Sequence, residues 1–200
     1  TIQRKEESMK RKRLIKKLGV GVVLGLMSLG FWGSAFSQSV DEAVRVYNQG
    51  QEAYKYGRYE EALGYYERSL KICRALNHLQ GISANLNEIG FVYNSLGQYE
   101  KALSYYEESL KIYKELNIPQ DIAISLNNIG GVYYSLGQYE KALSYYEESL
   151  KIYKELNIPQ DIAISLNNAE STKARVLLEA IAESAKGYLK SELPLEMKKK

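Results

Sequence analysis

The side chains best suited to covalent chemistry are Cys73 and His78, five residues apart and the only cysteine and histidine in 200 residues. A thiol beside an imidazole would make a nucleophile and its base, but that chemistry needs a third group to orient the base. No such group accompanies them, and Cys73 reads as a small core residue. The adjacent carboxylates Glu107-Glu108 and Glu147-Glu148 stand on the charged outer side of helical patterns and read as solvated. No phosphate-binding loop, paired metal ligands or serine elbow is present. The sequence therefore predicts no enzyme, no metal and no cofactor, and a lone cysteine leaves no intramolecular disulfide to form. What remains is non-covalent chemistry, carried by tyrosines and asparagines that recur at a fixed interval.

That interval is 40 residues: Ser95 to Asn128 returns letter for letter as Ser135 to Asn168, and a looser copy runs from about Tyr56 to Asn87. A period of this size marks an array of small units, each stabilised by stacking on its neighbours. Within one unit, Leu86, Ile89, Gly90 and Tyr93 fall at i, i+3, i+4 and i+7, the spacing of one helical face. Gly97 ends that helix. Tyr99, Leu103, Tyr106, Leu110 and Tyr113 make the apolar stripe of a second helix, and most Glu and Lys lie on its other side. Asn117, Pro119 and Asp121 break the second helix and set up the next. Gly90 and Ala102 are positions where two backbones approach closely, with Tyr106 beside them. The unit is two antiparallel helices joined by a tight turn at Leu96-Gly97-Gln98.

The pattern Leu86, Ile89, Gly90, Tyr93, Gly97, Tyr99, Ala102, Tyr106, Ser109 resembles the tetratricopeptide repeat. It returns at Leu126, Ile129, Gly130, Tyr133, Gly137, Tyr139, Ala142, Tyr146 and Ser149. The first copy matches at Val46, Gly50, Gly57, Tyr59, Ala62, Tyr66 and Ser69 and departs at Gln49 and Ala53. The 40-residue period exceeds the usual 34 and is similar to the longer-helix branch of the family, as in bacterial exported proteins. The resemblance implies an all-α fold, a right-handed α-solenoid of helix-turn-helix repeats over residues 43–168 with a C-terminal capping helix. The expected divisions are a leader at 1–37, three repeats, a cap at 169–193 carrying Leu177, Leu178, Ile181, Ala185 and Tyr188 on one face, and a disordered tail at 194–200.

The family places ligands, usually extended peptides or helices, in a concave groove lined by the first helix of each repeat. Carried onto this chain, the partner-binding set is Tyr47, Gln51 and Tyr54, then Asn87, Phe91 and Asn94, then Asn127, Gly131 and Tyr134, with Asn128 and Asn167 nearby. Asparagine offers both a donor and an acceptor to a peptide backbone, and tyrosine adds contact area at low entropic cost. Helices 82–95 and 122–135 carry no Lys or Arg, so the basic clamp with which some relatives grip a terminal carboxylate is not expected. The implied function is a non-catalytic protein-interaction scaffold for a protein or peptide partner. The alternatives are the recognition part of a larger enzyme or signalling protein, such as one with a caspase-like peptidase, and a membrane-anchored assembly factor.

The first 37 residues have another composition. Met9 to Lys17 is basic, Leu18 to Val40 carries no charge until Asp41, and Ala35 and Ser37 suit positions −3 and −1 of a cleavage site. This is the layout of an export signal, with a periplasmic or secreted product. An uncleaved inner-membrane anchor is the alternative, since 23 uncharged residues just span a hydrocarbon core of about 30 Å, and an unrecognised cytosolic segment is a third. Residues 1–37 hold 8 of the 27 basic groups but 2 of the 24 acidic ones, so the remainder is acidic by three charges. The positive total is no sign of nucleic-acid binding, which needs a basic stripe on the folded part. A membrane is a partner only through the leader.

Overall fold

The computed structural model describes residues 39–192, with side chains to residue 188, so the leader and the C-terminal tail lie outside the described residues. The described residues form seven helices and no strand: α1 spans 39–55, α2 Tyr59–Ala75, α3 Leu79–Ser95, α4 Tyr99–Leu116, α5 Pro119–Ser135, α6 Tyr139–Leu156 and α7 Pro159–Glu192. Odd-numbered helices are the first, and even-numbered the second, of each pair. Neighbours in sequence are neighbours in space, which is the arrangement of a helical-repeat solenoid.

Two residue types set the alternation of turns. Gly57, Gly97 and Gly137 each take φ +70° between a first helix and its second, and Asn77, Asn117 and Asn157 take φ 52° to 53° between a second helix and the next first one. The left-handed conformation is easy for glycine and tolerable for asparagine, whose short side chain bonds locally. Pro119 and Pro159 open α5 and α7, where a missing N–H costs nothing. Leu79 stands at that step in α3, and His78 just before it caps the helix, its Nδ1 accepting the Gly81 N–H at 2.9 Å.

Packing inside each pair repeats as closely as the sequence does. A Cβ on Gly90 or Gly130 would lie 2.9 Å from the ring of Tyr106 or Tyr146, so only glycine lets the two helices meet around that tyrosine. Ser69, Ser109 and Ser149 donate their hydroxyls to the carbonyls of Ala43, Ser83 and Ala123, pinning each second helix to the first helix before it. The tyrosine stripe is core: Tyr66, Tyr106, Tyr113, Tyr146 and Tyr153 are buried.

No break falls at residue 169. The helix that opens at Pro159 continues to Glu192, so the stretch expected as a separate cap is the far half of a single 34-residue helix. Its near half packs on α6 through Ser165, Ala169 and Thr172. From Leu177 to Tyr188 every side chain is exposed. The row Leu177, Leu178, Ile181 and Tyr188 therefore does not cover the third repeat; it runs on past it. The reason is local: nothing between Asn168 and Leu177 breaks a helix, and Glu170 in place of the periodic glycine removes the close approach that would have admitted another second helix.

Candidate partner-binding face

The first helices α1, α3, α5 and α7 touch one another through side chains 41 residues apart, and those contacts build a continuous face. At its far end the contacts are asparagine pairs: Asn128 Nδ2 donates to Asn87 Oδ1 at 3.2 Å, and Asn168 Nδ2 donates to Asn127 Oδ1 at 3.1 Å. Between α1 and α3 the same register gives Tyr47 donating to Glu88 Oε1 at 3.1 Å and Tyr54 sharing a 2.8 Å hydrogen bond with Ser95. The Ser95 hydroxyl donates to the Phe91 carbonyl, so at Tyr54 it accepts.

Of the residues expected to bind a partner, Tyr47, Gln51, Tyr54 and Phe91 come together across α1 and α3. Gln51 donates to the Tyr47 hydroxyl at 3.4 Å, and the rings of Tyr54 and Phe91 lie 5.0 Å apart. Phe91 is 38% exposed, a large apolar side chain held at the surface. Asn94 is half-buried, and its Oδ1 is buried without a hydrogen-bond partner. Asn87, Asn127 and Asn128 come together as the rungs described above. Tyr134 meets Tyr139 edge-on at 5.2 Å, and a Cβ on Gly131 would lie 3.6 Å from the Tyr146 hydroxyl, so that glycine leaves the face open. Asn167 stands exposed on α7.

Two members of the face escaped sequence reasoning. Glu88 is half-buried between α1 and α3, receiving Tyr47 and, at 3.5 Å, Tyr66. Burial raises its carboxyl above the ordinary range, and the two hydroxyls oppose that shift without cancelling it. Burial, then the nearby carboxylate, pushes the Tyr47 and Tyr66 hydroxyls up in turn. The signal was in the period: Glu88 occupies the step that Asn48, Asn128 and Asn168 take in the other first helices. Arg175 is the second, its guanidinium beside the Tyr134 hydroxyl, which holds it above its usual value. It was missed because α7 past Asn168 read as a cap and not as a fourth first helix.

Among the described residues, Cys73 and His78 are not arranged as a nucleophile and its base. His78 Nδ1 is occupied by the Gly81 N–H, and burial pushes the Cys73 thiol up, against what a nucleophile requires. Among the described residues no group of three His, Cys, Asp or Glu could hold a metal ion, and no helix is long and apolar enough to cross a membrane. The face offers aromatic area, amide donors and acceptors, and charged groups that include Glu88 and Arg175.

Paired antiparallel helices stacked into a solenoid with a shared first-helix face define an α-helical repeat protein. The tetratricopeptide repeat profile matches residues 42–115 and 81–155, and the chain belongs to the tetratricopeptide repeat family. No curated protein matches it. Among solved structures it is similar to BtubC (BKLC) from P. vanneervenii, with a TM-score of 0.63 and 23% identity over 76% of this chain and 66% of that one. The apo form of RapI has a TM-score of 0.65 at 24% identity, over 72% of this chain and 40% of that one. The TPR domain of Arabidopsis FLU has a TM-score of 0.56 at 20% identity, over 58% of this chain and 98% of that domain. The chain thus spans 66% of BtubC and 40% of RapI. At these identities the likeness is one of fold.

Proposed function

We propose that the chain is a non-catalytic scaffold that binds an extended peptide or a helix of a protein partner along the face of α1, α3, α5 and α7. The observation that carries this reading is the Tyr54–Phe91 pair: an exposed ring on the face, packed against a second ring from the neighbouring first helix. A partner's apolar side chain would cover Phe91. The asparagine rungs spend one carbonyl and one N–H each on holding adjacent helices, which leaves the other half of each amide to a ligand. Glu88 and Arg175 lie toward opposite ends of the face and would favour a ligand with opposite charges in the matching order. The 40-residue period supports a place in the longer-helix branch of the family, and the basic then uncharged leader supports export, with the folded part in the periplasm or outside the cell.

A photo-crosslinking amino acid at position 91, compared with one at position 147 on the outer side of α6, tests the reading in the cells from which the chain comes. A discrete adduct from position 91, lost on Tyr54→Ala and absent from position 147, is the expected result. Equal or no adducts from the two positions would refute the face as the binding surface.

The bare apolar row on α7 favours a second reading, in which this array is the recognition part of a larger protein and further chain packs on that row. In that case a longer product carrying residues after Lys200 would protect Leu177 and Ile181 from solvent, as amide exchange along α7 would show.

A further inference from the structure

The two ends of the array are finished differently: near α1 a cavity of about 310 Å³ opens beside Cys73, at the step where α4 and α6 carry Tyr113 and Tyr153, whereas on α7 a whole stripe is bare. The stripe follows from the stacking. An antiparallel second helix follows and covers each of α3 and α5, and among the described residues none follows α7. What this leaves open on α7 is Ala163, Leu166, Glu170, Lys173, Leu177 and Ala180, all exposed. Their spacing alternates three and four residues, the seam along which two helices pack side by side.

That seam is complementary to itself in reverse. About the midpoint between Ser171 and Thr172, Ala163 matches Ala180, Leu166 matches Leu177 and Glu170 matches Lys173, and Ile162 at the edge of the stripe matches Ile181. Leucine meets leucine, and opposite charges meet at the centre. A parallel pairing would instead set Glu170 on Glu170 and Lys173 on Lys173, like charges that repel. Among the described residues neither Glu170 nor Lys173 makes an ion pair within its own chain, so both are available to a second one.

We propose that α7 is the interface of a homodimer, in which a second copy of the chain lays its α7 antiparallel on this stripe about a two-fold axis between Ser171 and Thr172. The second copy's α7 then takes the place that α6 takes on α5. Both copies use the same patch, so the contact closes on itself and gives a dimer and not a filament. The overlap from Ala163 to Ala180 is about 26 Å of helix. Charged residues on the seam fix register and direction at a cost in strength, so the association is weaker than an all-leucine seam of that length would give. Below the dissociation constant the chain is single, the stripe is hydrated, and unfolding reports that state alone. The stripe shares no residue with the Tyr54–Phe91 pair, so dimer and partner-binding face stand or fall separately.

Sedimentation of the full chain over a wide range of concentration tests the proposal, with a single species giving way to a dimer as the expected result. Glu170→Lys alone and Lys173→Glu alone each put like charges at the centre and should weaken association about tenfold or more. An equimolar mixture of the two variants restores opposite charges and should restore the dimer, as should the double variant Glu170→Lys, Lys173→Glu. These positions are exposed, so each variant should keep the helicity of the parent. Direction is read by oxidising a mixture of Leu166→Cys and Leu177→Cys chains, Cys73 being buried. Position 166 of one chain should join position 177 of the other, faster than either variant joins itself. A single species at every concentration, association indifferent to the charge reversals, a mixture that fails to recover, or disulfides formed chiefly between identical positions would overturn the proposal. Association through the apolar leader falls among these outcomes, since it would ignore the charges at 170 and 173.

Discussion

Ten residues, Pro-Gln-Asp-Ile-Ala-Ile-Ser-Leu-Asn-Asn, open α5 at Pro119 and open α7 at Pro159, and the two copies differ only in the helices stacked on them. In α5, Leu126 is 1% exposed and Ala123 is buried; in α7 the same leucine, Leu166, is 42% exposed and Ala163 is exposed. A second helix, α6, follows α5 after the turn at Gly137 and packs on it, whereas among the described residues none follows α7. Burial in this molecule is thus a property of stacking and not of the segment, as expected where each unit contacts only its neighbours. The seven-helix core is an interior flanked by two unlike ends, one with a cavity at Cys73 and one with a bare helix.

The largest effect that could break this comparison is the loss of that leucine. Leu126→Ala should destabilise the chain by about 2–5 kcal/mol, the cost of a buried truncation that leaves a cavity. Leu166→Ala should cost under about 1 kcal/mol, because its side chain already meets water. Urea unfolding followed by helicity measures both, and equal losses would mean that α7 is as enclosed as α5. The next contrast is at the periodic glycine. Gly130→Leu drives a side chain into the Tyr146 ring, with the Ala142 carbonyl 3.3 Å from the new Cβ, and should cost about 1–3 kcal/mol or more. Glu170→Leu, at the same step of α7, should leave stability within about 0.5 kcal/mol of the parent.

A third contrast sets the α1–α3 interface against those beyond it. Glu88 has a carboxyl raised by burial, so the folded chain binds its proton at a higher pH than the unfolded chain does. Stability then rises as pH falls through the folded value toward the ordinary carboxylate range, and it falls again on the return to neutral pH. The asparagine pairs have no such dependence. Glu88→Gln should remove this rise while keeping an acceptor for Tyr47, which a series of melting curves from neutral to mildly acidic pH would show. An unaltered pH profile in the variant would mean that other carboxyls set it.

How far the letters reached obeys the same division between local and stacked. The helix from Tyr99 to Leu116, the turn at Gly97, the left-handed stop at Asn117 and the fit of Gly90 to Tyr106 were legible, because each depends on residues within about one period. The pairing of Asn87 with Asn128 was not, since a 41-residue register comes from how one helix pair leans on the next. Asn87 and Asn127 read as ligand groups, and the structure shows that their carbonyls also hold neighbouring helices. Cys73 read correctly as buried, but the space beside it emerges only when its tyrosine counterparts are superposed on it. The far half of α7 was legible as an amphipathic helix; what its apolar side would face was not, because periodicity reports a face and never its occupant.

That helix supplies the smallest predicted effect and the sharpest use of the comparison. Leu177 and Ile181 are 57% and 65% exposed, one turn apart on α7. Serine at both positions removes apolar surface that is already hydrated in the folded and the unfolded chain alike. The double variant Leu177→Ser, Ile181→Ser should therefore change unfolding free energy by no more than about 0.5 kcal/mol per site, the range for surface positions. A small loss from the lower helix propensity of serine is included in that range. Sedimentation at several concentrations distinguishes what a larger loss would mean. If the parent chain associates and the double variant does not, the row is an interface and its leucines belong with Leu126, not with Leu166. If neither associates and stability is unchanged, α7 beyond Thr172 is held by its own backbone hydrogen bonds, and an apolar stripe on this chain becomes core only where a neighbouring helix stacks on it.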